Sequence, residues 1–139
     1  SGLLSPAELS LLREEVHQID KNGRLETAAR HLSFPSSLLF SMRCYAKIHG
    51  ATFEPDTAGA GWEAMRKAVG IRNRMTHPKA LASLDLSEED TNAFVSAANW
   101  WKHTLLALFA ACNEADAYWK EHLADGAAAV IKPPAWPKG

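Results

Sequence analysis

From Phe94 to Trp119 the chain places apolar residues at alternating four- and three-residue steps: Phe94, Ala98, Trp101, Leu105, Leu108, Cys112, Ala115 and Trp119. A seam held for more than three heptads belongs to a helix, because a strand would throw successive members onto opposite faces. Ser87 caps its start, and Glu88, Glu89 and Asp90 suit the positive end of the helix dipole. The spacing predicts one helix of about 30 residues, running to His122 and forming the spine of the core. With 139 residues in all, the chain has room for one domain with a real core and not for two comfortable ones.

Shorter helices are expected to pack around that spine. Ser5-Pro6-Ala7-Glu8 combines a serine cap, a proline at the first helical position and a glutamate three residues after the cap. Leu9, Leu12, Val16 and Ile19 continue it as an apolar stripe, and Lys21-Asn22-Gly23 supplies a left-handed stop. A second short helix is expected from Arg24 to about Leu32. Ser33-Phe34-Pro35-Ser36 then starts another, which carries Leu38, Leu39, Met42, Tyr45, Ala46 and Ile48 and stops near His49-Gly50. The last two pieces read equally well as one kinked helix. After a loop over residues 51–61, a helix from about Ala60 ends at or just before His77, because a residue preceding proline is pushed out of helical geometry. Lys79 to Leu86 is a connection. No window alternates convincingly over strand length, so the fold class is all-α: an up-and-down bundle of four to five helices over residues 3–122. Residues 123–139 form an Ala/Pro-rich C-terminal tail, expected to be extended, with Trp136 either packed or loose. Ser1-Gly2 reads as a tag-cleavage scar, so the chain is expected to be a domain cut from a longer protein.

Composition narrows the functional classes. Hydrophobic residues make up 47% and charged residues 22%, an ordinary globular balance. A formal charge of −1 exerts no global pull on nucleic acid, so any affinity for phosphate has to come from a local patch. Cys44 and Cys112 each lie in an apolar segment without metal spacing, as buried thiols of a reducing compartment do. No apolar run reaches the roughly 20 residues that span a bilayer. A cytoplasmic protein with no membrane association is expected.

The densest chemistry is Gly70-Ile71-Arg72-Asn73-Arg74-Met75-Thr76-His77-Pro78. At about 100° per residue, Ala64, Ala68, Ile71 and Met75 form one stripe suited to close packing on the long helix. Trp62, Met65 and Val69 form a second, which continues into Arg72, Asn73 and Thr76. A face that begins apolar and turns polar in its last two turns fits a partly covered cleft or a contact with a second copy better than plain surface. Asn73 and His77, and likewise Arg72 and Thr76, are helical neighbours four residues apart. Arg72 can bend toward His77 of its own chain, or meet His77 of another copy across a two-fold axis. Together they offer a bidentate phosphate binder, an orienting amide and a group that exchanges protons near neutral pH. There is no carboxylate cluster for magnesium and no His/Cys set for zinc, so no metal or cofactor is expected. The plainer reading also stands: basic residues at a helix C-terminus are favoured by the macrodipole, and Arg72, Arg74, His77 and Lys79 fit that too.

Arg72-Asn73-Arg74-Met75-Thr76-His77 resembles the Arg-Asn-x-x-x-His form of the motif of HEPN domains, and Pro78 is a frequent extension of it. The sequence likeness is confined to about Trp62–Lys79, while the helical architecture extends it over most of the chain. The resemblance implies an HEPN-like bundle that dimerises, and a metal-independent endoribonuclease of toxin–antitoxin, abortive-infection or other defence type. Arg72 and His77 would be catalytic and Asn73 would orient a neighbour or contact the scissile phosphate, at a composite site between two protomers. RNA would be the substrate, and an antitoxin or a missing regulatory domain would be a further partner. One variant of the family carries a tyrosine two residues after the histidine, a target for modification; Lys79 occupies that position here, which removes that route. The alternatives are a non-catalytic HEPN-like module for dimerisation or nucleotide binding, and an unrelated helical interaction domain.

Arg66, Lys67, Arg74, Lys79 and Lys102, with Thr76, are candidates for an RNA-binding rim, though each also reads as ordinary solvated charge. Trp101 belongs to the seam, leaving Trp100 as flanking core or a stacking platform. His103 lies off the seam and is a candidate to line a cleft. His17, His31, His49 and His122 are scattered at helix flanks or ends with no companion acid and Ser or Cys, and receive no role.

Overall fold

The computed structural model describes residues 3–29 and 32–126. In chain order these form helix α1 (Pro6–Leu12), strands β1 (Glu15–Ile19) and β2 (Leu25–Ala29), helix α2 (Phe34–Ile48), helix α3 (Ala60–Thr76), a short 3-10 turn (Leu81–Leu84) and helix α4 (Glu88–Gly126). The chain is therefore mostly helical, with one small two-stranded sheet. The core is built where α2, α3 and α4 meet: Met42 and Ala46, Trp62, and Trp100, Leu108 and Cys112 form one buried cluster.

The start of α1 follows the expected box: Ser5 Oγ accepts from the Glu8 N–H at 3.2 Å, and Glu8 Oε2 accepts from the Ser5 N–H at 2.7 Å. Lys47 on α2 reaches the same carboxylate at 2.8 Å and ties the two helices together. That ammonium, and then the Ser5 bonds, lower the Glu8 pKa to about 2.

The all-α expectation needs correcting in the next segment. The first helix does not run to Lys21; it stops at Leu12, and Glu14 turns the chain with φ +53°. The expected helix from Arg24 to about Leu32 is also replaced, over residues 25–29, by a strand. β1 and β2 pair antiparallel, with Val16 opposite Ala28 and Ile19 opposite Leu25. Asp20 to Gly23 make the turn: the Gly23 N–H donates to Asp20 O at 3.0 Å, and Gly23 has φ +74°. This is a three-residue hairpin loop ending in a left-handed glycine, and Asp20 Oδ1 tightens it by accepting from the Asn22 and Arg24 N–H groups at 2.8 Å each. The left-handed glycine was foreseen, but as a helix stop. The missing alternation has a physical reason: Ile19 and Leu25 are 74% and 76% exposed, so no buried face demanded it.

α2 and α3 lie close to the expected limits. α2 closes in a Schellman motif, in which the Ala51 N–H donates to Ala46 O at 2.9 Å and the Gly50 N–H to Lys47 O at 3.0 Å. Gly50 has φ +71°, and a Cβ there would lie 2.6 Å from Trp119 Nε1. The left-handed φ is what demands glycine at this corner; the Trp119 ring is 48% exposed and has room to move aside.

α4 is longer than expected, continuing past His122 to Gly126. Its buried stripe is also rotated. Asp90, Ala93, Ala97, Trp100, Thr104, Leu108 and Cys112 are buried, whereas Phe94 and Trp119 are exposed and Trp101 and Leu105 only partly covered. These steps follow the period of a straight helix, about 3.6 residues, rather than the 3.5 of a supercoiled heptad seam. Trp100 is therefore core. Its ring lies 5.0 Å from that of Trp62, and its Nε1 donates to Asp56 O at 2.8 Å, which leaves it unavailable as a stacking platform. The expected tail, with Trp136, lies outside the described residues beyond Gly126, as do Ser1-Gly2 and His31.

The α3–α4 contact depends on the missing side chain of Gly61, where a Cβ would stand 2.7 Å from Trp100 Cδ1 and 2.9 Å from Trp100 Cβ. Because Trp100 Cβ cannot rotate away, Gly61→Ala should lower stability by about 1–3 kcal/mol in urea unfolding. Gly70→Ala is the matched control: the same substitution in the same helix meets nothing within 4 Å. It should raise stability by up to about 1 kcal/mol.

Candidate functional site

α3 carries the motif because its first stripe is used for packing. Ala68 and Ile71 are buried and Ala64 and Met75 partly so, against α4. The second stripe runs from buried Trp62 through half-buried Met65 and Val69 to exposed Arg72, Asn73 and Thr76, the expected passage from apolar to polar. There it forms one wall of a cleft of about 670 Å³. Residues 32–35, leading into α2, make one side, and Ala68, Val69, Arg72 and Asn73 the other. Of the two environments anticipated for this face, a partly covered cleft is the one present in a single chain.

Arg72 and Asn73 act together at the cleft: Arg72 Nη1 donates to Asn73 Oδ1 at 3.2 Å. The Thr76 hydroxyl donates back to the helix, to Arg72 O at 2.7 Å and Asn73 O at 3.3 Å, so its proton is committed to the last turn. His77 ends α3 with φ −128° and ψ 63°, its N–H bonded to Asn73 O at 3.1 Å. The ring is exposed and lies outside the cleft lining. The structure thus gathers Arg72 and Asn73 onto one surface and leaves His77 at the helix end.

Arg74, expected at the rim, has a structural task instead. Its guanidinium donates to Ser83 O at 3.2 Å, to Asp85 O at 2.9 Å and to Asp90 Oδ2 at 2.9 Å. It clamps the end of α3 to the connection and to the start of α4. Asp90 and Ser87 form a reciprocal cap, with the Asp90 N–H on Ser87 Oγ at 3.1 Å and the Ser87 N–H on Asp90 Oδ2 at 3.2 Å. Glu88, Glu89 and Asp90 were expected to act as helix-start charges, and Asp90 adds this clamp.

The other rim candidates divide. Arg66 is paired with Glu63 at 3.3 Å and Lys67 with Glu89, all four side chains largely exposed. Such pairs are weak enough for a phosphate to compete with them. Lys79 and Lys102 are exposed but do not line the cleft. His103 lines a different hollow, beside Trp100 and Asp56. Cys44 and Cys112 are buried free thiols, and burial pushes both above the usual thiol pKa. Among the described residues, no three His, Cys, Asp or Glu side chains are grouped to hold a metal ion.

His49 is where sequence reasoning missed a partner. Its Nδ1 lies 3.1 Å from both carboxylate oxygens of Asp116. The pair joins the end of α2 to α4 on the wall of a hollow of about 610 Å³ beside Trp119. The two residues are 67 positions apart, so no local spacing signals them.

The clamp has a pH consequence. Arg74 above all, and then the Ser87 N–H, hold the Asp90 carboxyl below its ordinary pKa. A lowered folded value means that its contribution is complete above the ordinary carboxylate range and is lost as the pH falls through the folded value. Thermal melts from pH 5 down to pH 2 should show wild type losing stability more steeply than Asp90→Asn, which starts less stable at neutral pH. Equal slopes would remove the clamp from the account of acid sensitivity.

Comparison of the chain with protein-family models, with curated proteins and with solved structures finds no match in any of the three.

Proposed function

We propose that this chain is a metal-independent endoribonuclease that cleaves RNA by attack of the 2′-OH on the adjacent phosphate. The observation that carries the reading is the joined Arg72–Asn73 pair on a cleft of about 670 Å³, with His77 exposed at the end of the same helix. The described residues lining the cleft include no carboxylate, which leaves it suited to an anion. In the reaction the 2′-oxygen bonds to phosphorus and the bond to the 5′-oxygen breaks. His77 moves a proton off the attacking oxygen or onto the leaving one, and Arg72 stabilises the charge of the pentacoordinate phosphorus. Asn73 holds the guanidinium in place. DNA is refused because it lacks the nucleophile. Toxin or abortive-infection defence is the setting that the HEPN resemblance implies.

A homodimer completes this reading, with Arg72 of one copy meeting His77 of the other. Its support is twofold. His77 lies outside the cleft lined by Arg72 in its own chain, and α4 leaves Phe94, Val95, Leu106 and Phe109 exposed along one flank. The same separation of His77 from the cleft favours a second reading, a module that binds RNA or nucleotide without cutting it.

The test is incubation with total RNA in EDTA. Cleavage should persist in wild type and fall by about 100-fold or more in both His77→Ala and Arg72→Ala. Wild type that binds RNA and leaves it intact would move the assignment to the binding module. Solution mass should be twice that of the chain; a strict monomer that still cleaves would defeat the composite site.

A further inference from the structure

Phe34 opens α2 with 56% of its surface exposed, on the cleft wall opposite Arg72 and Asn73. An aromatic side chain at the first turn of a helix, left this open, does little for the core. None of the close aromatic pairs among the described residues includes it. Leu32, Ala68 and Val69 extend the apolar lining beside it. The same lining holds a guanidinium and an amide whose oxygen already accepts from that guanidinium, leaving the amide N–H groups to donate elsewhere. A volume of about 670 Å³ admits a planar heterocycle with room to spare. Apolar walls, an exposed ring without a close aromatic partner among the described residues, and a polar pair bearing a positive charge match a base joined to a phosphate.

We propose that this cleft is a nucleobase subsite. A base stacks on Phe34, Asn73 donates to the edge of the base, and Arg72 holds the adjoining phosphate. The proposal rests on the RNA reading above and adds to it a base-stacking residue, Phe34, that the motif does not contain. Stacking of this kind tolerates any base, because every base presents a π-face; edge contacts from Asn73 would then bias the choice.

The experiment uses the full chain carrying His77→Ala, which blocks cleavage, and measures binding of a labelled ten-nucleotide single-stranded RNA in EDTA. Phe34→Ala should weaken binding by at least about fivefold, while Phe34→Trp, which keeps a stacking face, should stay within about twofold. An otherwise identical abasic oligoribonucleotide, with phosphates and no bases, should bind the parent and Phe34→Ala alike. Circular dichroism checks that both variants fold. Equal RNA binding by parent and Phe34→Ala overturns the subsite, and so does an equal loss in Phe34→Ala and Phe34→Trp. The cleavage assay is independent: wild type that cuts nothing while Phe34→Ala weakens binding defeats the nuclease reading and keeps the subsite. Failure of the parent to bind RNA overturns both.

Discussion

The close approach of α3 to α4 is the contact on which the rest of the molecule depends. It is possible because Gly61 leaves room for the Trp100 ring and because Ala68, Ala93 and Ala97 keep the seam thin. Trp62 then packs on Trp100, and Trp100 hydrogen-bonds Asp56 in the loop that leads into α3. One tryptophan therefore fixes the start of the motif helix, while the Arg74–Asp90 pair fixes its end. Between these two anchors α3 has little freedom to turn, which is what a positioned polar face requires.

The same geometry sorts two arginines that look equivalent on paper. Arg72 and Arg74 are two residues apart, which on a helix places them about 200° around the axis. Arg74 points back to the start of α4, where two carbonyls and a carboxylate take up its donors. Arg72 stays on the cleft, where its partner among the described residues is the amide of Asn73. The dipole favours cations at this helix end in general, but it does not distinguish the two. Their partners do.

The elements that were legible in the sequence are those governed by local rules. The capping box at Ser5, the helix stop near His49-Gly50 and the stop before Pro78 each depend on a few adjacent residues, and each sits where the residues place it. The face of α3 was legible too, since a change from Val69 to Arg72 and Asn73 along one stripe is a statement about periodicity. The hairpin was not. Leu9, Leu12, Val16 and Ile19 satisfy a helical period by coincidence, and the turn glycine serves a hairpin as well as a helix end. With both strands largely exposed, neither pattern had a buried face to select it.

What the sequence by itself determined is the helical character of residues 34–48, 60–76 and 88–122, together with the grouping of Arg72, Asn73, Thr76 and His77 at one helix end. These follow from spacing, caps and breakers, which act within a few residues. The tertiary structure decided the rotation of α4 that buries Trp100 in preference to Trp101, the diversion of Arg74 to Asp90, the pairing of His49 with Asp116, and the cleft that Phe34 shares with Arg72. Each of these joins groups far apart in the chain, and which pairs meet is set by how closely one helix can approach another. That distance is controlled by the bulk of residues on both surfaces at once, so no single stretch of sequence states it.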